Sequence, residues 1–247
     1  MRILAAFIWL ASCASAWAIS GGAPPASGWA ARSIVMVIDS HGDLCTGTAL
    51  ARDLVLTAAH CVARKKTYEV KLYQTGTAIT VRSVAIHPRF DFANYAASRA
   101  TADVALIKLA APLPNVVVPA VLAAARRVKV GETITIAGFG TVTDHGAAGL
   151  GVPRMAKLTV TGKPGSLQIR LYDPATRNLR GGLGGCTGDS GGPAYEGEGP
   201  RVIGVVSWTT AAENEEGCGG LTGLTPLLLY RSWIVETASK LNSEIGR

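Results

Sequence analysis

Nine short runs of apolar and β-branched residues, set apart by Gly, Pro or Asn, constrain the fold of this chain more than any other feature. They lie at 33–38, 54–59, 68–73, 79–86, 103–109, 132–138, 156–162, 167–173 and 201–208. Several alternate with a period of two, as in "YEVKLY" and "ITVRSVAI", the spacing that puts one side chain in the core and the next outside. Short strands at regular spacing indicate a sandwich or barrel, and no helical pattern alternates with them as a parallel α/β sheet requires. A single convincing helix is expected at 232–247, capped by Ser232, with Ile234, Ala238, Leu241 and Ile245 on one side. The Pro-punctuated stretch 111–127 divides the strands into comparable halves.

The chain has 247 residues, enough for one large domain or two small ones, and 48% hydrophobic against 17% charged residues is a globular composition. Arg2, an apolar run over 3–10 and Ala16-Trp17-Ala18 follow the order of a secretory signal peptide. The run is well short of the roughly 20 apolar residues of a membrane span. Leu10-Ala11-Ser12-Cys13 is a competing lipobox, which would cut before Cys13 and lipidate it. Beyond Cys13 remain Cys45, Cys61, Cys186 and Cys218, an even set that suggests two disulfides in an exported chain and allows three pairings. The net charge of +7 becomes +6 without Arg2, and the bases are dispersed apart from 64–66 and 126–129. Solvated loop charge explains this better than a nucleic-acid or membrane patch.

Three segments carry chemistry. "GDSGGP" (188–193) sets Ser190 among glycines, which permit positive φ and close approach of another backbone, as a nucleophile on a tight turn requires. Alone, such a string is more often a plain turn. "TAAHC" (57–61) places His60 after an apolar strand, and "DVALIKL" places Asp103 at the head of another. Either residue alone reads as structural. Serine, histidine and aspartate together are what acyl transfer needs: a nucleophile, a base near neutrality and a carboxylate that fixes the imidazole tautomer.

With "CTGTALARDLVLTAAHC", "DVALIKLA", "GETITIAGFG", "CTGDSGGP", "VIGVVSW" and "YRSWI" in this order, the chain resembles the trypsin/chymotrypsin family of serine proteases, as a bacterial-type secreted member. The resemblance implies an all-β fold: two six-stranded antiparallel β-barrels packed face to face, with a C-terminal α-helix. The division it implies is a signal peptide at 1–18, barrels at 19–117 and 118–231, and the helix at 232–247. It implies that His60 is general base and acid, that Asp103 orients it and that Ser190 is the nucleophile. The N–H groups of Gly188 and Ser190 would form the oxyanion hole, and Ser207 would lie near the buried aspartate. It pairs Cys45 with Cys61 and Cys186 with Cys218. The α-amino group of Ile19, exposed by signal cleavage, would fold inward onto Asp189, which favours the Ala18/Ile19 cut; Ser20 departs from the family pattern.

By the same resemblance, Gly184 is the floor of the primary specificity pocket, and Ser207, Trp208, Thr209 and Gly223 form its walls. An acid-free floor disfavours basic P1 residues, and β-branched Thr209 narrows the slot, so small or medium apolar P1 residues are expected. The loop 209–217 carries Glu213, Glu215 and Glu216, a solvated loop or an acidic lip. No cofactor or metal is implied: 63–76 holds one acid, Glu69, too few for a calcium loop. His41, His87 and His145 read as structural or solvent-facing. Protein or peptide substrates and protease inhibitors are the expected partners, without nucleic acid or a membrane span, and a monomer is expected. The location is secreted or periplasmic, with a lipid anchor at Cys13 the minority alternative. A protease-like cationic binding module with little activity is the competing function.

Overall fold

The computed structural model describes residues 19–144, 146–162 and 167–246. The expected signal peptide at 1–18, the competing lipobox at Cys13 and His145 lie outside the described residues. A short helix α1 (Gly28–Ser33) leads into six antiparallel strands: β1 (Ile34–Asp39), β2 (Leu44–Ala51), β3 (Leu54–Thr57), β4 (Tyr68–Lys71), β5 (Ala78–Ile86) and β6 (Ala105–Leu109). They close in the order β1-β2-β3-β6-β5-β4. Two short helices lie between these strands, α2 (Ala59–Val62) after β3 and α3 (Phe92–Ala96) after β5. The second half holds β7 (Val121–Leu122), β8 (Thr133–Gly138), β9 (Arg154–Val160), β10 (Ile169–Tyr172), β11 (Pro193–Glu196), β12 (Arg201–Thr209) and β13 (Thr222–Pro226). Six of these form a second closed antiparallel ring, because β11 pairs with both β8 and β12; β7 adds in parallel to β12.

Alternation along the strands explains how two barrels share one chain. In β1, Val35 and Val37 fill the first barrel, while Ile34 and Met36 point into a separate cluster between the barrels. Strand β6 does the same, with Ala105, Ile107 and Leu109 inside and Leu106 at the interface. The interface cluster also takes Phe139, Tyr195 and Val205 from the second half. Ile134, Ile136, Leu158, Val160, Leu171 and Leu224 fill the second barrel. A one-residue slip of β1 would exchange the two sets, so register is tightly specified. Each fully buried Leu, Ile or Val contributes roughly 1.5–3 kcal/mol.

The closing helix α4 covers Arg231–Lys240, shorter than the expected 232–247. Tyr230 occupies its N-cap position without a side-chain cap bond, so Ser232 lies in the first turn instead of capping. Ile234 and Ala238 are buried against the interface cluster, and Leu241 and Ile245 pack partly on it from beyond the helix. Among the described residues, no helix is long and apolar enough to cross a membrane.

Candidate active site

The site lies where elements of both barrels meet. His60 sits on α2, directly after β3, and the Cys45–Cys61 disulfide ties that turn to β2. Pairing of Thr57 with Ala105 brings the head of β6, and Asp103 just before it, alongside α2. Asp103 is 1% exposed, and three donors converge on its carboxylate. The His60 backbone N–H donates to Oδ1 at 2.9 Å, and His60 Nδ1 lies 2.8 Å from Oδ2. Ser207 reaches across from β12 and donates its hydroxyl to Oδ2 at 2.6 Å. A carboxylate accepting at this position holds the proton on Nδ1 and leaves the Nε2 lone pair free to take another. Ser207→Ala should remove a charge-assisted bond and destabilise the fold by about 1.5–3 kcal/mol, read as a lowered midpoint in denaturant titration.

The turn 186–193 is shaped by its glycines and by Asp189. Gly188 has φ of +96°, and a Cβ there would lie 3.0 Å from Gly140 Cα, so the position requires glycine. Asp189, 1% exposed, accepts from Gly140 N at 2.8 Å and Cys186 N at 2.9 Å. Gly140 passes so close that a Cβ on it would sit 2.6 Å from Asp189 Cγ. The N–H groups of Gly188 and Ser190 donate to no acceptor among the described residues, whereas Asp189, Gly191 and Gly192 donate to backbone carbonyls. Two neighbouring N–H groups are thus without an acceptor among the described residues, which donors to an oxyanion would have to be. Thr46 on β2 clips the turn to the first barrel: its N–H donates to Ser190 O and its Oγ1 to Gly188 O, both at 2.8 Å. No hydrogen bond joins Ser190 Oγ to His60 Nε2 among the described residues; Nε2 lies 3.7 Å from Cys61 Sγ.

Ile19 is fully buried in the core of the second barrel. Ser20, where the chain departs from the family pattern, bonds the loop at Gly184: its N–H and Oγ donate to Gly184 O at 3.1 and 3.2 Å. Burial pushes the Asp189 carboxyl up to about 7, against the pull of its two backbone donors.

Gly184 packs against Gly219 and Gly220, so that a Cβ on it would meet Gly219 Cα at 3.0 Å. The Thr209 methyl leans on Gly185, and the Trp208 indole lies against Gly223, where an added Cβ would come within 1.9 Å of the ring. Cys186–Cys218 closes the same region, so both disulfides are present. The 209–217 stretch leaves β12 at Thr209 and contains one 3₁₀ turn, Ala212–Asn214, with Glu213, Glu215 and Glu216 exposed. His41 is exposed, and His87 is buried edge-on between Tyr230 and Trp233.

A sequence model described as trypsin matches residues 19–234. The chain belongs to the trypsin family. It is a serine endopeptidase of that family, similar to a snake venom serine protease of Crotalus durissus durissus, at 30% identity over 72% of each chain. A vitellin-degrading protease of Bombyx mori is 27% identical over 84% of this chain and 80% of that protein. Among solved structures, human heparin binding protein shares the fold with a TM-score of 0.72 at 22% identity, covering 92% of this chain and 99% of the other. Mouse neuropsin, a serine protease, gives 0.69 at 25% identity over 87% and 98%. These relatives are animal proteins and lend no support to a bacterial-type origin.

Thr46 and Tyr95 were not legible as parts of the site. Thr46 follows Cys45 in an already quoted motif, but nothing in its spacing marks it as a clip. Tyr95, which stacks on His60 from α3, belongs to a stretch between "HPRF" and Asp103 that carries no motif.

Proposed function

We propose that this endopeptidase works through Ser190, His60 and Asp103 and cleaves after small or medium apolar P1 residues. The observation that carries the reading is the Asp103 carboxylate, engaged by His60 at both N and Nδ1 and by Ser207. Ser190 Oγ attacks the scissile carbonyl carbon while its proton passes to His60 Nε2, and the resulting oxyanion takes the N–H groups of Gly188 and Ser190. The C–N bond then breaks as Nε2 gives that proton to the leaving amine. Water repeats the sequence on the acyl-enzyme, releasing the acid and restoring the serine. The Ser190–His60 hydrogen bond forms on substrate binding, since such bonds are often loose in the free enzyme.

Activation follows export in this reading. Cleavage after Ala18 frees the Ile19 α-amino group, whose charge pairs with Asp189. Ile19 has φ of +47°, which a β-branched residue avoids because of the preceding carbonyl; the cut removes that carbonyl. The protein is then secreted, in keeping with its venom relatives.

The P1 preference rests on the family resemblance, which puts acid-free Gly184 at the floor of the slot and Trp208, β-branched Thr209 and Gly223 in its walls; the Thr209 methyl beside Gly185 and the Trp208 indole beside Gly223 are in keeping with a narrow slot. A P1-varied peptide library should return Ala, Val or Leu and little Arg or Lys. Thr209→Gly should widen the slot and improve turnover of Phe-type P1 substrates by about 10- to 200-fold relative to Ala. Preference for Arg or Lys would overturn the pocket assignment.

A second reading, a cationic binding module, has one observation in its favour. An open cleft of about 730 Å³ is lined by Arg170 and Arg177, with no carboxylate among its described lining residues. The fold it shares with heparin binding protein is compatible with it. Rapid peptide turnover by the purified protein would overturn this reading.

A further inference from the structure

Helix α3 stands between Phe90 and Asp103, and its Tyr95 ring lies flat on the His60 imidazole, with centroids 4.3 Å apart and planes 11° from parallel. Asp91 caps the helix by accepting from Asn94 N at 3.0 Å. Phe92 and Phe90 both tilt against Tyr95, at 6.2 and 6.3 Å, and the Arg64 guanidinium lies 5.8 Å over Phe92. The stacked face is therefore braced from behind. The Tyr95 hydroxyl makes no hydrogen bond among the described residues, and burial with the Asp103 charge pushes it up to about 12, so the ring is neutral in the working range.

We infer that Tyr95 is a positioning residue for His60, an inference that rests on the proposed role of His60 as base. Asp103 fixes the imidazole by its Nδ1 edge but leaves rotation about that bond open; Tyr95 closes one face. The imidazole becomes cationic when it takes the serine proton, and an aromatic face stabilises a cation stacked on it more than a neutral ring. The contribution is therefore made mainly in the transition state and appears in kcat, not KM. Of the two other bases that line the adjoining cavity, Arg64 lies over Phe92 and Lys66 is held by Asp39 and Asp43, so no free ammonium competes for that face among the described residues.

The test compares Tyr95→Phe and Tyr95→Leu in the processed enzyme, with peptide kinetics and NMR of the His60 ring protons. Tyr95→Phe should keep kcat within about twofold, whereas Tyr95→Leu should lower it by about 3- to 30-fold with KM little changed. Stacking shifts the His60 ring protons upfield, and that displacement should persist in Phe and vanish in Leu. Equal losses in both variants, or a change confined to KM, would overturn the inference. Wild-type turnover that depends on His60, with an unchanged Tyr95→Leu variant, would sink this inference alone; wild-type turnover independent of His60 would sink the reading beneath it.

Discussion

Ser190→Ala is expected to reduce peptide hydrolysis to the residue left by binding and the oxyanion hole, a loss on the order of 10⁶ in kcat, with the fold intact. Ser190 is half-buried and its hydroxyl makes no hydrogen bond among the described residues, so its removal leaves the turn held by Thr46 and Asp189. His60→Ala should cost a similar factor. Asp103→Asn should cost about 10⁴, the loss known for the triad of this family when the wrong imidazole tautomer is favoured. The three losses should not add, because the residues act as one unit. Circular dichroism and steady-state kinetics on the purified variants read both halves of this expectation.

One extra residue ahead of Ile19 should have the next largest effect. An extended terminus places an amide, not an ammonium, beside Asp189, and leaves a buried carboxylate with two backbone donors alone. Breaking a buried pair costs roughly 3–5 kcal/mol, comparable with the 2.7–4 kcal/mol lost when an oxyanion donor is removed. Activity should fall by about 10²–10³. The pH dependence separates this cause from a misplaced terminus. Without its cation, Asp189 binds its proton more tightly folded, up to about 7, than at the ordinary 3.8. Between those values the folded state holds a proton that the unfolded state has lost, so stability falls as pH rises. The extended form should therefore lose thermal stability from about pH 4 to pH 7, and the processed form should not. Parallel melting curves of the two forms across this range check it.

The fold was legible where strands alternate strongly, and less so where packing overrides propensity. Strand β2 contains Gly47, a weak strand former, because a Cβ there would lie 2.6 Å from Val55 Cγ1. Strand β11 begins at Pro193, and β13 contains Gly223 and ends at Pro226; close contacts and strand-end positions, not local preference, put them in the sheet. None of the three is visible as an alternating run. The helix at the C-terminus was read too long because Leu241 and Ile245 keep helical spacing, yet both reach the core from the irregular tail after Lys240. In the site, His60, Asp103 and Ser207 stand in quoted motifs, and they meet at one carboxylate. Tyr95 could not be found that way. Its stacking depends on the path of a loop between β5 and Asp103, which side-chain pattern alone does not specify.

The most direct test of the triad assignment is labelling with a serine-directed phosphonate, followed by peptide mapping of the protein that begins at Ile19. The account predicts one stoichiometric adduct on Ser190, formed rapidly and abolished by His60→Ala. No adduct on folded, processed protein, or an adduct on another serine such as Ser207, would contradict it.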